Sequence, residues 1–352
     1  MTERRKRNIT PQGFKRILNR FPPAPSVVQS SIVNQSIQPT KLNNDNVSRT
    51  KKEEPMFNKH QIIEVYDRNK IDYEALKEFC EFNMVNTEDV DVSIIIPVRG
   101  RENFNRPLVD HLIGSMNFLK DKTYSITFVE HSESPKHKEL CKDSTNHIWV
   151  KKMDRGLFNK CLSMNVGALF SNKAKYYLFH DIDLLTNRQF FYNLFQNLDR
   201  IPPGSALQAF GGRKVVVMNK ELTERILRNR TRIEEVIPGS YESPYCTPGA
   251  PGGSIFISHD SFYRVGGFDA EFFHSYSCED AFFYHKLEMT VGIQGCDNPF
   301  VDVFHMDHPR TNGADNPDRH TQNLIHAGFI SMPPEDKTNL ITHISNNINK
   351  IK

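Results

Sequence analysis

Val92–Val98 (VSIIIPV) is a continuous apolar, β-branched run, the pattern of a strand buried on both faces of a parallel sheet. Leu108, Leu112, Met116 and Leu119 then recur at helical spacing. Tyr124–Glu130 reads as a second strand and His147–Val150, with the lone Trp149, as a short third. Phe158–Phe170 reads as a helix, Tyr176–His180 as a strand and Arg188–Leu198 as a helix. This alternation predicts an α/β fold: a mixed, mainly parallel sheet flanked by helices. The second half is less regular. Ala206–Met218 reads as strands around Gly211-Gly212, Lys220–Arg230 as a helix, and Pro238–Pro251 as a long loop, either a lid over the site or an inert surface loop. Gly252–Ile257 returns as a strand, followed by a helix at His259–Val265, a turn at Gly266–Asp269, a helix from Asp280 to Met289 and a strand at Phe300–Phe304.

Outside this core the pattern weakens. Ile63, Tyr66, Tyr73, Leu76, Phe79 and Phe82 have helical spacing, so residues 56–90 read as lead-in helices. Residues 1–55 are polar and basic and read as a disordered tail. A short basic helix at Gly13–Arg20 could give weak peripheral contact with an anionic membrane, but a solvated tail is the preferred reading. The chain beyond Pro309 is polar, and residues 331–352 read as a C-terminal tail on the surface, leaving 91–330 as a single catalytic domain.

In open α/β sheets ligands bind outside the carboxyl ends of the strands. Charged residues stand at those ends. The first core strand runs through Pro97 into Arg99 and Arg101, and Tyr176–His180 runs into Asp181-Ile182-Asp183. In a strand, Asp181 and Asp183 would face one pocket with Ile182 turned into the core. Two close carboxylates need a positive partner, which a hard divalent cation carrying a diphosphate would supply. The plainer alternative is a pair of solvated aspartates at a strand end. Glu279 and Asp280 fall at a helix start, where anions are favoured and where a carboxylate can equally serve as a cap. Neither GxGxxG nor GxxxxGK[ST] occurs, so a nucleotide would be held by arginines and a metal instead.

Composition narrows this reading. With 45 basic and 42 acidic residues the formal charge is +3, which gives no case for a nucleic-acid binder. The six cysteines are scattered without a CxxC pair, which predicts reduced thiols rather than a zinc site or a disulfide framework. No run approaches the roughly 18 apolar residues of a membrane span, and the first residues lack a signal-peptide core. The expected location is cytoplasmic.

The motifs IPVRGRE (96–102), LFNKCLSMNVG (157–167), FHDIDLL (179–185), PGGSIFIS (251–258), GGFD (266–269), YSCED (276–280) and FHMDHPR (304–310) stand in order over about 90–330. In order and rough spacing they resemble the β-1,4-galactosyltransferase family of GT-A glycosyltransferases, and are similar to chondroitin-polymerase-type GalNAc transferase domains. The resemblance implies a Rossmann-like GT-A fold and a metal-dependent enzyme moving a sugar from a UDP-sugar to a carbohydrate or glycoconjugate hydroxyl. By it, Pro97, Arg99 and Arg101 belong to the loop holding the uridine diphosphate. Phe158, Asn159 and Lys160 match a donor-binding Phe-Asn-Arg, with a point charge replacing a bidentate fork. Asp181 and Asp183 match the metal-binding D-x-D, whose second Asp is the direct ligand. Gly252 and Gly253 match glycines beside the donor sugar, and Tyr276 takes the place of a stacking tryptophan. Glu279-Asp280 matches the family's Glu-Asp, making Asp280 the base. Ala281 replaces an aspartate that holds the family's GlcNAc acceptor. His305 or His308 matches the metal-binding histidine, with His305 preferred because it directly follows a strand.

Elementary chemistry agrees with these roles. A cation between carboxylates and phosphates offsets the charge of a departing UDP. An imidazole ligand favours manganese, with magnesium the alternative. A carboxylate across the sugar can take the acceptor proton, and direct displacement would invert the anomeric centre. Two other readings stay open: a sugar-phosphate nucleotidyltransferase, which would release pyrophosphate, and a catalytically inactive sugar-binding domain.

Overall fold

The computed structural model describes residues 56–85, 87–141, 144–151, 157–210, 215–229, 246–247, 252–295, 303–309 and 316–351. The expected tail 1–55 and nearly all of the loop Pro238–Pro251 lie outside the described residues.

The strands are β1 (Cys80–Asn83), β2 (Val90–Val98), β3 (Tyr124–His131), β4 (Asn146–Val150), β5 (Ala174–His180), β6 (Leu184–Thr186), β7 (Ala206–Gln208), β8 (Val215–Val217), β9 (Cys246–Thr247), β10 (Ser254–Ser258), β11 (Ile293–Gly295) and β12 (Val303–His305). They form an 8-stranded sheet in the order β1-β4-β3-β2-β5-β10-β7-β11 and a 4-stranded sheet in the order β6-β12-β8-β9. The centre, β4-β3-β2-β5, is parallel, as the alternation of strands and helices predicts. The outer strands mix directions, with β10 antiparallel to β5 and β1 antiparallel to β4.

Both faces of the large sheet are covered, which is why β2 reads as an unbroken apolar run. Val92, Ile94, Ile96 and Val98 pack with Leu108, Leu112 and Met116 of the helix Glu102–Met116. Ile95 points the other way, into a core with Val129, Tyr177, Phe179 and Met164 of the helix Lys160–Phe170.

Two expectations are corrected. The helical spacing through Phe79 and Phe82 breaks after Lys77. The helices are Lys59–Asn69 and Tyr73–Lys77, and Phe82 lies on the edge strand β1. Phe79 lies in the turn before β1 and Phe82 on β1, and they stay 48% and 37% exposed. Beyond Pro309, the described residues 316–351 are not a surface wrap. They form the helices Arg319–Ser331 and Pro334–Ile348, which bury Ile325, Phe329, Leu340, Ile341 and Ile344. The second of these packs on the first helix, where Tyr66 Oη donates to Ile344 O (3.1 Å).

Cys80, Cys141, Cys161 and Cys278 are free thiols, in keeping with the scattered cysteine pattern. No helix among the described residues is long and apolar enough to cross a membrane.

A buried polar knot ties the GGFD turn to the C-terminal helix. Lys286 Nζ donates to both carboxylate oxygens of Asp269 (2.8 Å), and Asn347 Nδ2 donates to Glu271 (3.3 Å). Burial, reinforced by the Asp269 charge, pushes the Glu271 carboxyl up to about 7. A raised folded-state value means that the folded protein holds this proton more tightly than the unfolded chain. The stability Glu271 contributes is therefore full below about pH 4.5 and is lost as pH rises to about 7. Glu271→Gln should remove that dependence. In urea unfolding, its stability relative to wild type should rise by up to about 3 kcal/mol between pH 4.5 and 8. Parallel pH profiles would show that Glu271 is not the titrating group.

Candidate active site

β5 ends at His180, whose ring is locked by Ser254 Oγ (2.7 Å) and by the Leu184 carbonyl (2.9 Å). The chain then turns, with Leu184 N donating to Asp181 O (3.2 Å). Asp181 and Asp183 therefore sit in a turn rather than on a strand, and their side chains reach different partners. Ile182 goes into the core, as expected.

Asp183 is almost fully buried. In the small sheet β6 pairs with β12, which places His305 opposite Leu184. Met306 N donates to Asp183 O (2.8 Å), holding the two segments together. His308 Nε2 lies 3.0 Å from Asp183 Oδ2 and His305 Nε2 lies 3.8 Å from it. The ligand atoms of Asp183, His305 and His308 all lie within 4.8 Å of one another. Both histidines kept as candidates in the sequence reading thus approach the carboxylate, with His308 the nearer of the two. Arg101 Nη1 contacts the same Oδ2. Burial pushes the Asp183 carboxyl up, but the His308 hydrogen bond and the His305 and Arg101 charges outweigh it and hold it well below the usual range.

Asp181 stands apart from this cluster. Lys160 Nζ donates to Asp181 (3.0 Å) and reaches Asp280 at 3.3 Å, bridging the two carboxylates. Burial pushes the Asp181 carboxyl up to about 6 against the Lys160 charge, with Asp183 adding to the rise. Asp181 does not belong to the Asp183–His305–His308 group in this geometry, and its oxygens accept from the Lys160 ammonium.

β10 runs antiparallel to β5 and starts where β5 ends, with Ser254 opposite His180. That register brings Gly252 and Gly253 between the two aspartates. Gly253 has φ +92, and its carbonyl accepts from Asp181 N (2.8 Å). A Cβ on Gly252 would lie 2.0 Å from Asp280 Oδ2, so no side chain fits there while Asp280 keeps its place. Asp280 is the second residue of the helix Glu279–Thr290, whose N-cap is Cys278. Glu279 is buried and accepts from Ser277 N (2.8 Å). Burial and the Asp280 charge push its carboxyl up to about 7.

The remaining expected residues differ in how far they join the site. Arg99 is exposed at the end of β2, and Pro97 is buried in that strand. Asn159 is committed to the fold: its Oδ1 accepts from Leu162 N (2.8 Å) as a helix cap, and its Nδ2 donates to Ala270 O (3.0 Å). Phe158 rests near His131, with ring centroids 6.3 Å apart. Tyr276 is 60% exposed, and its carbonyl accepts from Asn316.

One support was missed in the sequence. Glu130, fully buried at the end of β3, accepts from Ser132 Oγ, Lys136 N, His137 N and His147 Nε2, each at 2.9 Å. His137 in turn donates from Nε2 to Gly100 O (2.9 Å), the residue before Arg101. An acid and a histidine ending an apolar strand, Glu130-His131, were its only signal.

A cavity of about 680 Å³ opens at the other end of the sheet, lined by Asp91, Thr123, Lys175 and His259 among others. Asp91 there is already engaged by Lys175 (2.7 Å) and Thr123 N (2.9 Å). The convergent chemistry lies at the carboxyl ends, not in this cavity.

No protein-family model matches the chain, and no curated protein does. Solved structures similar to it include an Asp-to-Asn mutant of Drosophila β-1,4-galactosyltransferase 7 with manganese, UDP-galactose and xylobiose. That match has 15% identity and a TM-score of 0.37, covering 59% of this chain and 65% of that one. Staphylococcus aureus TarS 1-349 is similar at 15% identity and a TM-score of 0.45, covering 73% and 71%. A mannosyltransferase from Pyrobaculum calidifontis with GDP-mannose and Mn2+ is similar at 16% identity and a TM-score of 0.42, covering 82% and 81%.

Proposed function

We propose that the chain is a metal-dependent, inverting glycosyltransferase that moves galactose, N-acetylgalactosamine or a close relative from a UDP-sugar to a carbohydrate or glycoconjugate hydroxyl. The observation that carries this reading is the convergence of Asp183, His305 and His308 beside a second carboxylate pair, Asp181 and Asp280, bridged by Lys160. One oxygen and two imidazole donors suit manganese better than magnesium. When bound, the metal neutralises charge on the departing diphosphate.

The chain's own residues do the rest. Arg99 and Arg101, where β2 ends, offer charge-assisted hydrogen bonds to the phosphates. Asp280 takes the proton of the acceptor hydroxyl, with its oxygens aimed by Lys160. Attack from that side, opposite the leaving group, inverts the anomeric carbon. Tyr276 presents an exposed ring on which an acceptor sugar can stack.

The test is a donor screen on the full chain with manganese, reading UDP release and product anomer. Metal-dependent UDP release with inversion is expected. Pyrophosphate release from a nucleoside triphosphate and a sugar phosphate would make the protein a nucleotidyltransferase. UDP-sugar binding without turnover of any donor would make it an inactive sugar-binding domain.

A further inference from the structure

The cation that touches Asp183 in this structure belongs to the chain itself. Arg101 Nη1, His308 Nε2 and His305 Nε2 all approach one atom, Asp183 Oδ2. Arg101 reaches it from a left-handed backbone conformation (φ 61, ψ 34) at the start of the helix Glu102–Met116. That conformation disfavours a side-chain-bearing residue, so the surroundings must hold it. The Glu130–His137–Gly100 chain of hydrogen bonds anchors the carbonyl of the residue before it. A divalent ion would bind Oδ2 at about 2.0–2.2 Å and take the space between that oxygen and the two imidazoles. The guanidinium nitrogen on Oδ2 stands in for such an ion and competes with it.

We propose that Arg101 is the internal counter-ion of the metal-free site: metal binding displaces it from Asp183, and the freed guanidinium turns to the diphosphate of the donor. This rests on reading Asp183, His305 and His308 as a metal site beside a nucleotide. Its consequence is positive coupling between metal and UDP. Each must tighten the other by the same factor, since coupling free energy is reciprocal.

The test is manganese binding to the full chain, read by the electron paramagnetic resonance of the free ion, with and without UDP. Arg101→Gly removes the guanidinium and suits the left-handed backbone. Arg101→Gln is the second variant should the first fold poorly. Arg106→Gln, which removes an exposed charge paired with Asp110 one turn along, controls for loss of charge alone. Without UDP, both Arg101 variants should bind manganese roughly tenfold more tightly, the scale of one charge-assisted hydrogen bond. The enhancement by UDP should shrink by a similar factor, and Arg106→Gln should stay within about twofold of wild type. Unchanged or weaker manganese binding in the Arg101 variants, or equal tightening in Arg106→Gln, overturns the counter-ion role and leaves the metal site standing. Wild type that binds no manganese with or without UDP overturns both.

Discussion

Asp280→Asn is expected to fold and bind UDP like wild type while transferring sugar about 10²–10⁴-fold more slowly, the range for loss of a general base. Its fold should survive for a local reason. Asp280 is the second residue of the helix Glu279–Thr290, and its carboxylate accepts from Lys160 Nζ rather than from a backbone N–H at the helix end. The partner of Asp280 is Lys160, and an asparagine oxygen still accepts from that ammonium. Gly252→Ala offers a second route to the same loss with the carboxylate intact. Its Cβ would fall 2.0 Å from Asp280 Oδ2 and must push that side chain aside. The assay is sugar transfer beside thermal midpoint and UDP affinity. Transfer by Asp280→Asn within a few-fold of wild type would remove it as the base and leave Glu279 as the next candidate.

The second large effect is expected at Asp183. Asp183→Asn should weaken manganese binding at least about 100-fold, since losing even an outer-shell partner of a metal ligand costs 10–100-fold. Turnover should fall with it. The reason is geometric: Asp183 is the anion on which His305, His308 and Arg101 converge, and asparagine supplies no charge for the cation. Asp181→Asn should spare manganese affinity by comparison, because Asp181 faces Lys160. Equal losses in the two variants would mean that the ion bridges both aspartates.

The core of the fold was legible because burial on both faces leaves a mark in sequence. β2, β3 and β5 are runs of apolar residues, and the helices between them keep their spacing. Phe79 and Phe82 misled because their three-residue step continues a helical stripe, whereas Phe79 lies in a turn and Phe82 on a strand that meets Phe170 edge-on. The C-terminal helices were hidden by polar composition. Their stripe of Leu340, Ile341, Ile344 and Ile348 was nevertheless present at helical spacing.

At the site, single residues could be read but their pairings could not. Asp181 and Asp183 look alike in sequence, yet the turn after His180 sends one to Lys160 and the other to the histidines. That split depends on two registers, β10 against β5 and β12 against β6, set by residues far away in the chain. The placement of Arg101 on Asp183 follows from β2 lying next to β5, an adjacency no local pattern encodes.

The most direct measurement is a crystal structure of the chain with manganese and UDP, using anomalous scattering to locate the ion. One anomalous peak is expected about 2.0–2.3 Å from Asp183, His305 and His308, touching the diphosphate. Arg101 is expected to have moved from Asp183 to a phosphate oxygen. A peak away from these three residues, or UDP bound outside the carboxyl ends of β2 and β5, would contradict this arrangement.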